Sequence, residues 1–202
     1  PAGSPARAEA LGALAGLGLR PAPDDLADPS DRAPEALVLG AREVRTRADP
    51  SWSTPLDFAP RDAVVAGPRV VVAGPSKIVA LERDTGRVDW RRSLPSERVL
   101  GVDSAEGGLL VWTERRLHRL SPETGETLGR VFFGAPPRRR ARAGRFALVR
   151  EGDQIRLVDV IETRGRGSLT LPAARVRRAE GRLMLERDDG SRWWVDPAPG
   201  WP

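Results

Sequence analysis

Cysteine is missing from all 202 residues, and with it every disulfide framework, thiol nucleophile and cysteine-ligated zinc or iron–sulfur centre. Histidine occurs once, at position 118, which excludes any site built from two or more imidazoles. Tyrosine and asparagine do not occur. Lysine occurs only as Lys77, so all but one of the 33 basic side chains are arginine. The longest mainly apolar stretch, Ala10–Leu19, is half the ~20 residues that a membrane-spanning helix needs. Hydrolytic, redox and metal chemistry therefore has few residues to draw on. Glycine (21), proline (19) and arginine are plentiful, and the net charge is +5. Missing cysteines leave the redox compartment open, and a start at Pro1 fits either loss of an initiator Met or signal cleavage.

Composition shifts along the chain. Residues 1–34 are rich in Ala, Pro, Gly and Asp and read as an N-terminal arm. Ser4 can cap a helix, Pro5 suits its first position and Pro21 stops it, which predicts a short helix over 5–19. Leu11, Leu14 and Leu17 form one apolar stripe on it, a candidate contact for a partner. Gly12, Gly16 and Gly18 weaken it by up to ~1 kcal/mol each. Residues 21–34 read as an extended acidic linker.

From about residue 60 the pattern becomes regular. The segment Leu81-Glu82-Arg83-Asp84-Thr85-Gly86 returns 39 residues later as Leu120-Ser121-Pro122-Glu123-Thr124-Gly125. Looser copies are Val160-Ile161-Glu162-Thr163-Arg164-Gly165 and Val195-Asp196-Pro197-Ala198-Pro199-Gly200. About ten residues before each copy lies an apolar run: Val70–Val72, Leu109–Val111, Ala147–Val149 and Leu183–Leu185. Each unit divides into four short strands joined by Gly- and Asp-containing turns. In the first unit these are 63–66, 69–73, 77–81 and 87–91. In the second they are 99–103, 109–113, 116–120 and 127–132. A repeat of about 40 residues with four antiparallel strands has the size of a propeller blade. Consecutive apolar residues in the second strand suit a sheet covered on both faces.

The stretch Ile78-Val79-Ala80-Leu81-Glu82-Arg83-Asp84-Thr85-Gly86-Arg87-Val88-Asp89-Trp90 resembles the repeat of the pyrroloquinoline-quinone-like (PQQ-like) β-propeller family. The family pattern is an apolar strand ending in Ala-Leu-Asp, a Thr-Gly turn, and a strand with Trp at its fourth position. Glu82 stands where Asp is usual, the second unit has no Trp in its last strand, and the later units are degenerate. The resemblance spans roughly residues 60–200. It implies an all-β fold and, among the non-enzymatic members, accessory lipoprotein subunits of outer-membrane barrel assembly. Those are larger rings tethered through a lipidated Cys, a residue this sequence lacks. The family's quinone-binding members are also much larger, with a bound calcium and a stacking Trp. No motif for either carries over to this chain, so no cofactor and no metal are expected.

The fourth unit supplies strands near 175–179, 182–187 and 192–196 and then runs out of chain. Its third strand would leave an unpaired edge. The segment 36–47 is the strand-like candidate to cover it. The expected architecture is a small propeller of four blades over 35–202, closed by a strand near 36–47. The alternatives are five blades, with an incomplete one at 36–60, and an open sheet completed by another protein.

His118 lies between arginines in a strand, with no nucleophile or carboxylate tied to it by motif, and reads as a solvent- or channel-facing structural residue. Asp24-Asp25 falls in the linker, and Asp189-Gly190 is a hairpin turn. The densest charge run joins Arg138, Arg139, Arg140, Arg142 and Arg145. It could meet an anionic surface or phosphates, but lacks the interleaved aromatics of a nucleic-acid binder. Trp90, Trp112, Trp193 and Trp194 fall on strands and should wedge between blades, whereas Trp52 and Trp201 sit in proline-flanked segments, free to act as partner contacts. The reading is a non-enzymatic interaction scaffold, an accessory subunit in a bacterial cell envelope, periplasmic or otherwise extracytoplasmic, with the cytoplasm as the alternative. A phosphate- or nucleic-acid-binding module using the arginine run is the second hypothesis.

Overall fold

The computed structural model describes residues 19–21, 37–46, 51–170, 174–179 and 182–195, whose regular structure is all β-strand. In chain order the first strands are β1 (Leu19–Pro21), β2 (Leu37–Leu39), β3 (Glu43–Thr46) and β4 (Ser53–Pro55). Then come β5 (Asp62–Ala66), β6 (Arg69–Ala73), β7 (Lys77–Glu82), β8 (Val88–Ser93), β9 (Val99–Ala105), β10 (Gly108–Thr113), β11 (Arg116–Leu120) and β12 (Thr127–Phe132). The last are β13 (Pro137–Ala143), β14 (Phe146–Glu151), β15 (Gln154–Asp159), β16 (Arg164–Thr170), β17 (Ala174–Ala179), β18 (Arg182–Arg187) and β19 (Arg192–Val195). They form five antiparallel sheets: β2-β3-β4, β5-β6-β7-β8, β12-β11-β10-β9, β13-β14-β15-β16 and β1-β19-β18-β17. The strands expected from the repeat lie where they were expected, within a few residues at each end.

The chain divides into two compact units. One unit comprises residues 30–136 and 160–164 and holds the first three of those sheets. Its inner strands carry uninterrupted apolar runs: Val70–Val72 and Leu109–Trp112 are buried throughout. Burial on both faces follows from a sheet with a neighbour on each side. Val71, Ala73, Ile78 and Ala80 pack against Val99, Leu109, Val111 and Leu120, while Val70, Val72, Val79 and Leu81 pack against Val44, Leu56 and Phe58. Trp112 stacks on Phe133 with centroids 6.2 Å apart. The outer strands instead alternate, β8 exposing Asp89, Arg91 and Ser93. The other unit comprises residues 1–29, 137–159 and 165–202, and its core joins Leu148, Ile155 and Leu157 to Val176, Leu183, Leu185 and Trp193.

Two expectations about the ends change. The segment near 36–47 does not complete the last sheet. Its two strands, β2 and β3, form a hairpin that pairs with β4 in a sheet of its own, as the five-bladed alternative supposed. The open edge of β19 is covered by β1, with Leu19 opposite Val195, Arg20 opposite Trp194 and Pro21 opposite Trp193. Leu19 is therefore a strand residue and not the end of a helix, and the arm expected to stand apart contributes a strand. An unpaired edge needs backbone donors and acceptors, and those are available from any extended segment that reaches it. The rest of the predicted helix over 5–19, with Leu11, Leu14 and Leu17, lies outside the described residues, as does Trp201.

Candidate functional site

The turn after β7 places Gly86 at φ 68°, and the turn after β11 places Gly125 at φ 71°. Both conformations favour glycine. Closeness adds a second constraint: a Cβ on Gly125 would stand 2.8 Å from Cε3 of Trp90, and one on Gly86 would stand 2.5 Å from Cδ2 of Trp52. Each indole thus lies against the turn of the following sheet. Trp52 Nε1 donates to the Arg83 carbonyl at 2.7 Å, and Trp90 Nε1 to the Pro122 carbonyl at 2.9 Å. Two residues on, Thr54 donates to the Gly86 carbonyl at 2.6 Å and Arg92 donates to that of Gly125. Trp-x-donor is a clamp, used twice.

The third instance inverts it. Gly129 occupies the Trp position in β12, and the turn beyond it carries Thr163 at φ 51°, where the other turns have glycine. A Cβ on Gly129 would meet Oγ1 of Thr163 and stand 2.9 Å from its Cβ and Cγ2. Bulk has moved from strand to turn. The indole donor is replaced by Arg119, whose Nη1 donates to the Ile161 carbonyl at 2.6 Å. Trp52, expected as a partner contact, is half-buried, with its indole N–H engaged within the fold.

His118 is 1% exposed, not facing solvent or a channel. Its partner is Glu97, from the loop between β8 and β9: His118 Nε2 lies 2.9 Å from Oε2. Thr113 donates to the same oxygen at 2.6 Å, and Arg116 donates to Oε1 at 2.7 Å. Burial alone would raise the Glu97 carboxyl, but the hydrogen bonds from His118 and Thr113 and the nearby positive charge hold it below its ordinary range. Desolvation pushes His118 down, and the charges of Arg130 and Arg92 add to that against the pull of Glu97. The carboxylate is the hub, receiving both the imidazole and the hydroxyl. Thr113 is thus not aimed at His118, so no hydroxyl–imidazole pair is set up for nucleophilic attack. The cluster fastens a loop to β10 and β11.

Arg138, Arg139, Arg140 and Arg142 of the arginine run lie on β13 and Arg145 in the turn that follows it; the side chains of Arg138 and Arg139 lie outside the described ones. Arg140 is exposed, and Arg142 donates to the Gly144 carbonyl at 2.9 Å. Arg145 is bound 2.6 Å from Asp159, whose side chain is fully buried and also meets Arg166 at 2.9 Å. Arg145 thus has its charge matched within the fold while its side chain stays 42% exposed. Trp193 and Trp194 are buried on β19, as expected of strand tryptophans.

One surface went unnoticed in the sequence. β12 alternates: Val131 is buried while Leu128 and Phe132 are 51% and 60% exposed. These two are the exposed large hydrophobic residues among the described ones, and Arg130 lies exposed between them. Period-two alternation was visible there, but not which face the rest of the sheet would leave uncovered.

No protein-family model and no curated protein sequence matches this chain. Its fold matches solved β-propellers. BamB from Moraxella catarrhalis aligns with a TM-score of 0.61 at 15% identity, over 86% of this chain and 56% of BamB. BBS1N, in complex with ARL6DN, aligns at 0.63 and 13% over 88% of this chain and 63% of that one. The Pan2 WD40 domain of Neurospora crassa aligns at 0.55 and 10% over 82% of this chain and 73% of the domain. The chain spans little more than half the length of BamB. The class is thus settled by the fold: a small all-β propeller of four-stranded antiparallel sheets, one of them three-stranded here. No helix of the described residues is long and apolar enough to cross a membrane.

Proposed function

We propose that this protein is a non-enzymatic protein-interaction scaffold of the PQQ-like propeller type, serving as an accessory subunit of a bacterial cell-envelope complex. The observation that carries it is the exposure of Leu128 and Phe132 on an outer strand. Large apolar side chains left exposed on one strand face mark a surface for protein contact. The one histidine supports the same reading, because it is buried and its Nε2 is engaged in fastening the loop that carries Glu97. The envelope role rests on the PQQ-like repeat at Ile78–Trp90 and on the likeness of fold to BamB, with a cytoplasmic scaffold as its alternative.

The test is isolation of the full chain from its source after cross-linking, with the bound proteins identified and the elemental content and absorbance spectrum recorded. A stoichiometric protein partner resistant to salt is the expected result. A quinone band or stoichiometric metal would overturn it in favour of an enzyme. Bound nucleic acid released steeply by salt would favour the phosphate-binding reading. That second reading now has less to stand on, since Arg145 is committed to Asp159.

A further inference from the structure

We propose that the outer edge of β12 binds an extended protein segment that pairs with it as an added strand, an acidic side chain opposite Arg130 and apolar ones opposite Leu128 and Phe132. The proposal rests on the scaffold reading and says which surface and which partner chemistry it uses.

Edge strands expose unpaired backbone groups, and proteins protect them with charge, proline or brevity. β4 is three residues long and exposes Ser53 and Pro55. β8 exposes only polar side chains, with Asp89 ion-paired to Arg69 at 2.5 Å. β12 is the outer strand of its sheet and has six residues, yet its exposed face reads Leu128, Arg130, Phe132. Its one exposed charge, Arg130, stands between two exposed apolar side chains, whereas β8 exposes no apolar one. Such an edge is the structural basis for strand addition, in which backbone bonds give affinity and alternate side chains give specificity.

Charge selects the occupant. Arg130 makes no ion pair with a described residue. Pairing register sets it on the same face as His118 and sets Phe132 on the same face as Arg116. The Arg116 guanidinium lies 4.9 Å from the centroid of the Phe132 ring while hydrogen-bonded to Glu97. Arg92, facing this side from β8, has its own pKa lowered by burial and by the charge of Arg130. Arg92 and Arg130 thus both bring positive charge toward His118, and beside them Arg116 is paired with Glu97. A segment with an acidic residue between two apolar ones, each two positions apart, matches the face in both spacing and charge. A second copy matches it less well, because a two-fold pairing centred on the patch sets Arg130 against its own counterpart.

A displayed library of heptapeptides, threonine alternating with three randomised positions, tests this on the full chain. Apolar–acidic–apolar peptides should be enriched, and they should shift the amide resonances of residues 127–132. With Arg130→Glu the preferred central residue should become Lys or Arg. Leu128→Ser with Phe132→Ser should weaken binding by about tenfold or more without lowering the melting temperature. Unchanged selection by Arg130→Glu, or no enrichment, overturns the proposal. Shifts confined to another surface overturn the β12 site and leave the scaffold reading intact. Self-association abolished by the same double substitution makes a second copy the occupant and overturns the acidic segment.

Discussion

Replacing Gly129 by Ala should destabilise the protein, and adding Thr163→Gly should return most of that stability. The new methyl would meet Oγ1 of Thr163 and stand 2.9 Å from its Cβ and Cγ2. Thr163 is β-branched and held at φ 51°, so it has little freedom to turn aside. Overpacking of this kind costs about 1–3 kcal/mol, against roughly 0.5–1 kcal/mol gained from Ala over Gly in a strand. A net loss of about 1–2 kcal/mol follows. Thr163→Gly alone relieves left-handed strain of about 1 kcal/mol or more and forfeits about 0.4–1 kcal/mol through a freer unfolded chain. It should be close to neutral. In its presence Gly129→Ala meets no obstacle, so the two changes should couple by about 2 kcal/mol. Urea titrations of the four proteins, followed by tryptophan fluorescence, measure the cycle. Effects that add within about 0.5 kcal/mol would refute the exchange of bulk between strand and turn. The same logic extends to Gly129→Trp, which should be tolerated only with Thr163→Gly, where it rebuilds the contact of Trp90 on Gly125.

The sole imidazole makes one pH prediction direct. Burial holds His118 below its ordinary 6.5, so the unfolded chain takes up the proton first. Stability is then full above about pH 6.5 and falls as the pH drops toward the folded value; a proton NMR titration midpoint at or above 6.5 would contradict this. Glu97 acts in the same direction at lower pH, its carboxyl being held below 4.5, and Glu97→Gln should flatten the acid limb of a melting-temperature profile. Arg145→Ser should cost about 1–3 kcal/mol because it takes a charged partner from Asp159, which is fully buried, whereas Arg140→Ser, at an exposed position, should shift the melting temperature little. Deleting residues 1–22 removes β1 and bares the edge of β19, so the shortened protein should melt earlier and self-associate in gel filtration; an unchanged melt would show that β1 adds nothing.

Much of the fold was legible because it is written in local patterns. Apolar runs such as Leu109–Val111 name a strand covered on both faces, and Thr85-Gly86 and Thr124-Gly125 name turns that need a left-handed residue. The candidate sites were less legible. Arg145 looked like one member of a charged run until Asp159 was brought beneath it, fourteen residues downstream. Glu97 lies 21 residues before His118, with no motif linking them. Thr163 read as the equivalent of Thr85 and Thr124, yet it stands where Gly86 and Gly125 stand, because Gly129 left room for its side chain.

By itself the sequence determined the strands, their grouping into repeated units and the Trp90 turn, since each depends on residues within a few positions of one another. Tertiary structure alone decided which segment covers the edge of β19, what Glu97 and Asp159 bind, and which face of β12 stays open. The reason is physical. Backbone hydrogen bonds along a sheet edge are nearly indifferent to side-chain identity, so Leu19–Pro21, which carries no strand pattern, covers the edge for which residues 36–47 were the expected candidate. Burial and charge pairing are likewise properties of neighbours in space, which the order of residues does not reveal.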